Sequence, residues 1–189
     1  MKMKNTNDRT MKRVISMIVV HCSATRSNRD YPVQQLYHDH VEVNHWRYIG
    51  YHYYIRRSGM VEETRPLAIA GAHAKGYNAH SVGICYEGGL DEHGRTADTR
   101  TPEQKQAMAR LIVQLHQQFP TISQVLGHRD LPGVNKACPC FEARELQGLL
   151  QVKDMEELAT MWHENSSSDK NVSSLDGDGL YLSGKEAEL

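Results

Sequence analysis

The segment VISMIVVHCSAT, residues 14–25, sets the interpretation of the rest of the chain. Its first seven residues, Val14 to Val20, are largely apolar and rich in β-branched side chains, and the run is short. Such a run favours a buried strand over a helix, because β-branched side chains pack well on a pleated surface. The predicted strand delivers a polar side chain, His21, at its carboxyl end.

Outward from this strand, predicted helices and strands alternate. The pattern predicts a helix over residues 32–46 and a β-hairpin over residues 51–64 with its turn at Ser58-Gly59. A further apolar run at residues 81–87 predicts another strand, and residues 124–127 predict a short one that ends at His128. These elements define the core of one domain.

The clearest helix begins at the TPEQ sequence, residues 101–104. Thr101 is a good N-cap, Pro102 suits the first helical position, and Gln104 completes a capping box. A last helix is predicted over residues 142–163. Strands that alternate with helices, together with one hairpin, predict a single α/β domain with a central mixed β-sheet flanked by helices.

Length and composition agree with one soluble domain. The chain has 189 residues, 39% hydrophobic and 24% charged, and its net charge of −1 gives no electrostatic reason to bind nucleic acid or anionic membranes. Residues 1–12 are polar and expected to be flexible, residues 13–164 form the predicted domain, and residues 165–189 have the composition of a disordered polar tail. We expect a monomer.

The N-terminal segment is basic, but its apolar run is short and lacks a small-residue cleavage site, so we expect no signal peptide. No run approaches the roughly 18 apolar residues of a membrane span. Synthesis in the cytoplasm is therefore expected, where thiols stay reduced. In that compartment the four cysteines are interpreted as core residues or metal ligands rather than disulfides. They are Cys22, Cys85, Cys138 and Cys140.

Three side chains could form a metal site: His21, His128 and Cys138. Two imidazoles and one thiolate suit zinc, and three protein ligands leave a fourth position open for water or substrate. The spacing matches no short-range zinc signature. From the residues alone, hydrogen-bonded histidines at two strand ends and a small buried thiol remain the favoured interpretation.

A family resemblance changes that balance. Five segments in register over residues 14–150 resemble the type-2 N-acetylmuramoyl-L-alanine amidases, above all the amidase lysozymes of T-odd coliphages, which share their fold with peptidoglycan recognition proteins. The segments are MIVVHCSAT, GYHYYIRRSG, GAHAKGYNAHSVGIC, the TPEQ helix start and KACPCF. The resemblance implies a zinc-dependent enzyme that hydrolyses the amide bond between the lactyl group of N-acetylmuramic acid and L-alanine in bacterial peptidoglycan.

The resemblance also implies roles for individual residues. His21, His128 and Cys138 match the ligands of one zinc ion per chain. Tyr51 and Lys136 match the active-site tyrosine and lysine. In the same family pattern, His73 matches a histidine that lines the cleft and contacts substrate. Cys140 stands where the phage proteins carry a serine, and we expect it to have no metal role.

Three other functions remain to be weighed. Recognition proteins of this fold hold muropeptides without cutting them and are marked by loss of a zinc ligand, above all the cysteine, so Cys138 favours hydrolysis. A contact-based regulatory role would involve the C-terminal tail. A deaminase needs a His-x-Glu and a Pro-Cys-x-x-Cys, and the spacing around Pro139 does not provide the latter. Without a signal peptide, the enzyme would reach the wall after release or export, as in a phage, prophage or mobile element.

Overall fold

The computed structural model of the protein describes residues 13–168. Contacts divide the chain after Lys153: the sheet belongs to a unit that ends there, and the last helix belongs to a unit that begins at Asp154. The predicted flexible segment, residues 1–12, lies outside the described residues. So does the predicted disordered tail from residue 169 onward, and both stay predictions.

Seven strands form two sheets. In chain order they are β1 (Met17–Cys22), β2 (Thr25–Arg26), β3 (Tyr53–Ile55), β4 (Val61–Glu63), β5 (Ser81–Tyr86), β6 (Gly89–Leu90) and β7 (Gln124–Gly127). The main sheet has the order β4-β3-β5-β1-β7, and the small sheet pairs β2 with β6. In the main sheet β3, β5, β1 and β7 run parallel, and β4 pairs antiparallel with β3. The predicted mixed sheet and hairpin are confirmed.

At two places the described α-helices have other bounds than the sequence predicts. They are α1 (Val33–Tyr37), α2 (Pro102–Gln118) and α3 (Met155–Ser168), with a π-helical turn at His38–Val43 and 3-10 segments at Asn78–His80, His128–Asp130 and Ala143–Gln151. Within residues 13–168, no helix combines the length and apolar character needed to cross a bilayer.

The prediction of one continuous helix over residues 32–46 was wrong. Regular α-helix ends at Tyr37, and the backbone then widens into the π-helical turn. The N–H of Asn44 donates to the carbonyl of Asp39, five residues earlier, at 3.1 Å. This longer hydrogen-bonded ring is the π-helical pattern, which periodicity at 3.6 residues does not reveal.

The prediction of one helix over residues 142–163 was also wrong. A 3-10 segment occupies Ala143–Gln151, and α3 is a new helix with its own start. A carboxylate oxygen of Asp154 accepts from the backbone N–H groups of Glu156 and Glu157, at 3.0 and 2.9 Å. An aspartate that caps two free N–H groups in this way begins a helix rather than continuing one.

The sheet and α2 enclose the main core. All six residues of β5 are buried, and so are the last five of β1. One apolar face of α2 packs against them; its buried members include Ala107, Met108, Leu111, Ile112 and Leu115. Because β1 lies between β5 and β7, a side chain at its carboxyl end sits near the centre of the sheet edge.

The capping box of α2 gives a stability prediction. Thr101 Oγ accepts from the N–H of Gln104 at 3.1 Å, and the Gln104 side-chain oxygen accepts from the N–H of Thr101 at 3.0 Å. The Thr101 hydroxyl also donates to the carbonyl of Arg57 at 2.7 Å. Thr101→Ala should therefore lower the free energy of unfolding by about 1–2 kcal/mol, while Thr101→Ser should lose little.

Urea denaturation at equal metal loading measures the difference between these two variants. Equal free energies of unfolding for Thr101→Ala and Thr101→Ser would contradict a capping role for the hydroxyl.

Candidate metal centre

The three predicted ligands meet at one edge of the main sheet. One ligand atom from each of His21, His128 and Cys138 lies within 4.8 Å of the others. The register explains the pair of histidines: Val20 of β1 pairs with Gly127 of β7 in parallel, so the residues that follow emerge side by side. Their ring centroids are 4.6 Å apart. Among the described residues, this is the one group of three or more such side chains in metal-binding proximity.

The ring of His21 is oriented by contacts on both nitrogens. Nδ1 faces Cys138 Sγ at 3.8 Å, and Nε2 lies 3.0 Å from Nδ1 of His73. The ring is 1% exposed. Cys138 Sγ also accepts from the backbone N–H of Cys22 at 3.3 Å, so the loop that carries the thiol is tied to the end of β1. Nδ1 is thus the nitrogen of His21 that is available to a metal.

Electrostatics favour the neutral, metal-binding form of both imidazoles. Burial lowers the pKa of His21 well below its ordinary value, and the nearby His73, His128 and Lys136 lower it further. Burial and then the charge of Lys136 lower the pKa of His128. A neutral imidazole presents a free lone pair, which is the form that binds metal ions.

The donor set fits a zinc ion. In a tetrahedral zinc site, bond lengths near 2.0 Å to nitrogen and 2.3 Å to sulfur separate the two donor atoms by roughly 3.5 Å. The distance from His21 Nδ1 to Cys138 Sγ is 3.8 Å, so only a small adjustment would bring both to bonding distance. Because Cys138 and His128 are only partly buried, a fourth ligand could approach from solvent.

Tyr51 lies against the ligands. Its ring centroid is 5.1 Å from that of His21, and its side chain is partly buried. Burial raises the pKa of Tyr51 well above its ordinary value, with further contributions from the thiols of Cys85 and Cys138. Its other neighbour is His40, whose ring centroid is 5.6 Å away. The phenol therefore holds its proton, and its ring stands beside that of His21.

Lys136 is exposed on the loop that leads to Cys138. Its charge acts on both His21 and His128, which places a cation near two of the three ligands. A mobile, solvated ammonium beside a metal site can meet negative charge that develops on a bound substrate.

His73 occupies a different position from the one expected of a substrate contact. Its ring is buried behind His21, and the residue is 8% exposed, while its role as a substrate contact stays a prediction. Nδ1 contacts His21 Nε2, and Nε2 lies 3.3 Å from the hydroxyl oxygen of Ser81. Both ring nitrogens are engaged within the protein, and the side chain has little surface to offer a substrate.

Sequence reasoning did not single out Ser81 or His40 as site residues. Ser81 opens β5, where the pattern indicated only the start of an apolar strand. His40 belongs to the π-helical turn, and its ring contacts those of Tyr51 and Trp46. Two signals could have indicated Ser81: the strand register in three dimensions, and its position eight residues beyond His73 in the AHAKGYNAHS segment.

Cys140 lies outside the ligand cluster. Its Sγ is 3.7 Å from Sγ of Cys22, and burial raises its pKa to about 12. The two thiols contact each other beside the end of β1, and Cys140 is not among the three described residues whose ligand atoms cluster.

Comparison with known proteins agrees with this arrangement. Residues 11–141 match the N-acetylmuramoyl-L-alanine amidase family. The endolysin of Klebsiella phage KP32 is 41% identical over 135 residues, which are 71% of this chain and 87% of that protein. The endolysin of Escherichia phage T7 is 38% identical over 127 residues, 67% of this chain and 82% of that protein.

Solved structures with the same fold include both enzymes and recognition proteins. N-acetylmuramoyl-L-alanine amidase LysC from Clostridium intestinale superposes with a TM-score of 0.61 at 30% identity, over 74% of this chain and 87% of that chain. The recognition protein PGRP-SA of Apis mellifera superposes with a TM-score of 0.57 at 19% identity, over 76% and 84% of the two chains. The second likeness concerns the fold alone.

The two neighbouring thiols give a prediction that separates them. Cys138→Ser should lose most bound zinc, because a serine hydroxyl is a far poorer ligand than a thiolate. Cys140→Ser should keep its zinc, because the Cys140 thiol contacts Cys22 rather than the ligand cluster. Elemental analysis after gel filtration measures zinc per chain, with the parent expected to hold about one. A full zinc complement in Cys138→Ser would contradict the assignment of Cys138 as a ligand. So would a loss of zinc that is confined to Cys140→Ser.

Proposed function

The chain belongs to the N-acetylmuramoyl-L-alanine amidase family, and we propose that it works with a zinc ion bound by His21, His128 and Cys138. It is a hydrolase of the amide bond between N-acetylmuramic acid and L-alanine. One observation carries the zinc proposal: three donors of the types that zinc prefers converge from separate parts of the chain. Histidines with only a structural role would not need the thiol of Cys138 at 3.8 Å from His21 Nδ1.

The protein groups around the ligands have distinct proposed tasks. When bound, zinc supplies Lewis-acid chemistry, since it polarises a carbonyl group and lowers the pKa of water to about 7. In the hydrolysis, water adds to the lactyl carbonyl carbon, the C–N bond breaks, and the amine of L-alanine leaves with a proton. The chain must therefore stabilise charge on the carbonyl oxygen and deliver a proton to nitrogen.

Lys136 is proposed to stabilise that oxygen. Its exposed ammonium lies near His21 and His128, so it can approach a substrate carbonyl placed at the ligands. Negative charge on the oxygen grows mainly in the transition state, and a cation that meets it there raises turnover more than it tightens binding.

Tyr51 is proposed to handle the proton. Burial raises the pKa of Tyr51 above its ordinary value near 10, so the phenol is protonated at neutral pH, and its ring stands beside that of His21. From that position the hydroxyl can orient the attacking water and donate a proton toward the departing amine. The proton is then replaced from the water that was consumed, so the phenol is regenerated.

The substrate is proposed to be bacterial peptidoglycan or its soluble muropeptides, cut by a single copy of the chain. The relatives named endolysins favour a role in degrading the wall at cell lysis. We propose that the enzyme reaches the wall after release or export, as expected for a phage, prophage or mobile-element enzyme.

Product analysis tests this function. Purified protein incubated with peptidoglycan should release free L-alanine amino groups without new reducing sugars. Chelation should abolish the release, and added zinc should restore it. Binding of peptidoglycan without release would identify a recognition protein, and activity that survives complete metal removal would contradict the zinc proposal.

Substitution at Lys136 should separate turnover from binding. Lys136→Ala should keep zinc and bind soluble muropeptide nearly as well as the parent. Turnover should fall about a hundredfold to a thousandfold, the usual effect of removing one oxyanion-stabilising group. Lys105→Ala, which removes an exposed lysine from α2, is the matched control and should leave both properties unchanged. Parental turnover in the Lys136 variant would reduce this lysine to a solvated loop residue.

Substitution at Tyr51 removes a hydroxyl and keeps the ring. Tyr51→Phe should retain the fold and zinc, because packing against His21 and His40 involves the ring. Turnover should fall, because the proton donor is gone. Tyr37→Phe, on an exposed tyrosine, is the control. Steady-state kinetics on a muropeptide, with zinc content measured in parallel, compares the two variants with the parent. Parental turnover in both variants would contradict the role of Tyr51.

A further inference from the structure

His73 sits in a slot that admits its ring in one orientation. A Cβ added at Gly71 would lie 2.3 Å from His73 Cδ2, and one added at Gly83 would lie 2.5 Å from the same atom. Neither glycine has a positive φ, so their backbone conformation does not require glycine. The two positions lack a side chain because the imidazole of His73 occupies that space. The side-chain oxygen of Asn78 accepts from the backbone N–H of His73 at 2.9 Å and holds the chain at the mouth of the slot.

From this slot a line of hydrogen bonds runs away from the metal centre. His21 Nε2 and His73 Nδ1 are 3.0 Å apart, His73 Nε2 and Ser81 Oγ are 3.3 Å apart, and Ser81 Oγ lies 2.8 Å from the carbonyl oxygen of Tyr77. His21, His73 and Ser81 are each less than 9% exposed. The line therefore connects a ligand of the proposed zinc ion to the backbone through two buried side chains.

The carbonyl at the far end fixes the direction of every bond in the line. A carbonyl can only accept, so the single hydroxyl proton of Ser81 is donated to Tyr77. Ser81 Oγ then accepts from His73 Nε2–H, which leaves His73 Nδ1 bare. That bare nitrogen accepts from His21 Nε2–H. The remaining nitrogen of His21, Nδ1, carries a free lone pair and faces Cys138 Sγ at 3.8 Å.

We propose that His73 and Ser81 are positioning residues that hold His21 in the tautomer and orientation required for metal binding. This inference rests on the proposed zinc site. With the opposite polarity, the proton of His21 would sit on Nδ1 and block the metal position. Partners that orient a ligating histidine in this way typically contribute a factor of 10–100 to metal affinity. Here the partner is a second imidazole, whose own tautomer is set by a serine and a backbone carbonyl.

Tautomers are measured directly by long-range proton–nitrogen NMR correlation on the full chain as purified. Both His21 and His73 should carry their proton on Nε2. In Ser81→Ala, where the acceptor for His73 is lost, His73 should become a mixture of the two tautomers. Ser16→Ala is the control and should leave the signals unchanged, because the Ser16 hydroxyl donates to the carbonyl of His80, outside the line. A His73 proton on Nδ1 in the parent would overturn the inference.

Zinc affinity provides the second measurement. By competition with a chelator, His73→Leu should bind zinc about 10–100-fold more weakly than the parent. His73→Asn should recover most of the affinity, because its side-chain oxygen can replace Nδ1 as the acceptor for His21. Equal loss in both variants, or parental affinity in His73→Leu, would reduce His73 to a packing residue and overturn the proposal.

Failure of the zinc proposal would look different. A parent that binds no zinc and keeps its activity after chelation would remove the metal centre itself, whereas the tautomers of His21 and His73 would still report the direction of the line. A zinc-dependent parent whose His73 and Ser81 variants hold zinc as tightly as the parent would leave the function standing and remove only the positioning role.

Discussion

The parallel pairing of β1 with β7 is the constraint on which the candidate site depends. Val20 is paired with Gly127, so His21 and His128 leave the sheet at the same edge as neighbours. A slip of one residue would turn one of them to the opposite face of the sheet. The thiol then needs only to be brought to this edge, and the hydrogen bond from Cys22 N–H to Cys138 Sγ ties its loop there. The candidate metal centre thus depends on strand register.

The same placement explains why the site is buried on one side and exposed to solvent on the other. His21 lies within β1, an interior strand of the sheet, and is covered by His73, while Cys138 and Lys136 stand on a loop that faces solvent. In the proposed site, the buried side holds one ligand by a directed line of hydrogen bonds, and the open side would admit substrate. A site divided in this way combines a rigid ligand with access for a large polymer such as peptidoglycan.

Much of this could be predicted from the sequence, and the exceptions have physical causes. The strand that carries His21, the hairpin and the Thr101 cap have local patterns that the tertiary structure keeps, although the strand spans Met17–Cys22 rather than residues 14–20. The π-helical turn after Tyr37 and the break before α3 depend on a few local hydrogen bonds that periodicity cannot detect. For the site, the residues alone could not choose between a metal centre and two core histidines; family resemblance made that choice. The position of His73 behind His21 needed the register of β1 against β5.

X-ray absorption at the zinc edge of the zinc-loaded protein tests the central claim most directly, because it counts the ligand types around the ion. A site made by His21, His128 and Cys138 predicts a single sulfur at about 2.3 Å and two imidazole nitrogens at about 2.0 Å, with a light atom completing the shell. Two sulfurs in the shell would mean that Cys22 or Cys140 replaces a histidine. A shell without sulfur would exclude Cys138 and contradict the account.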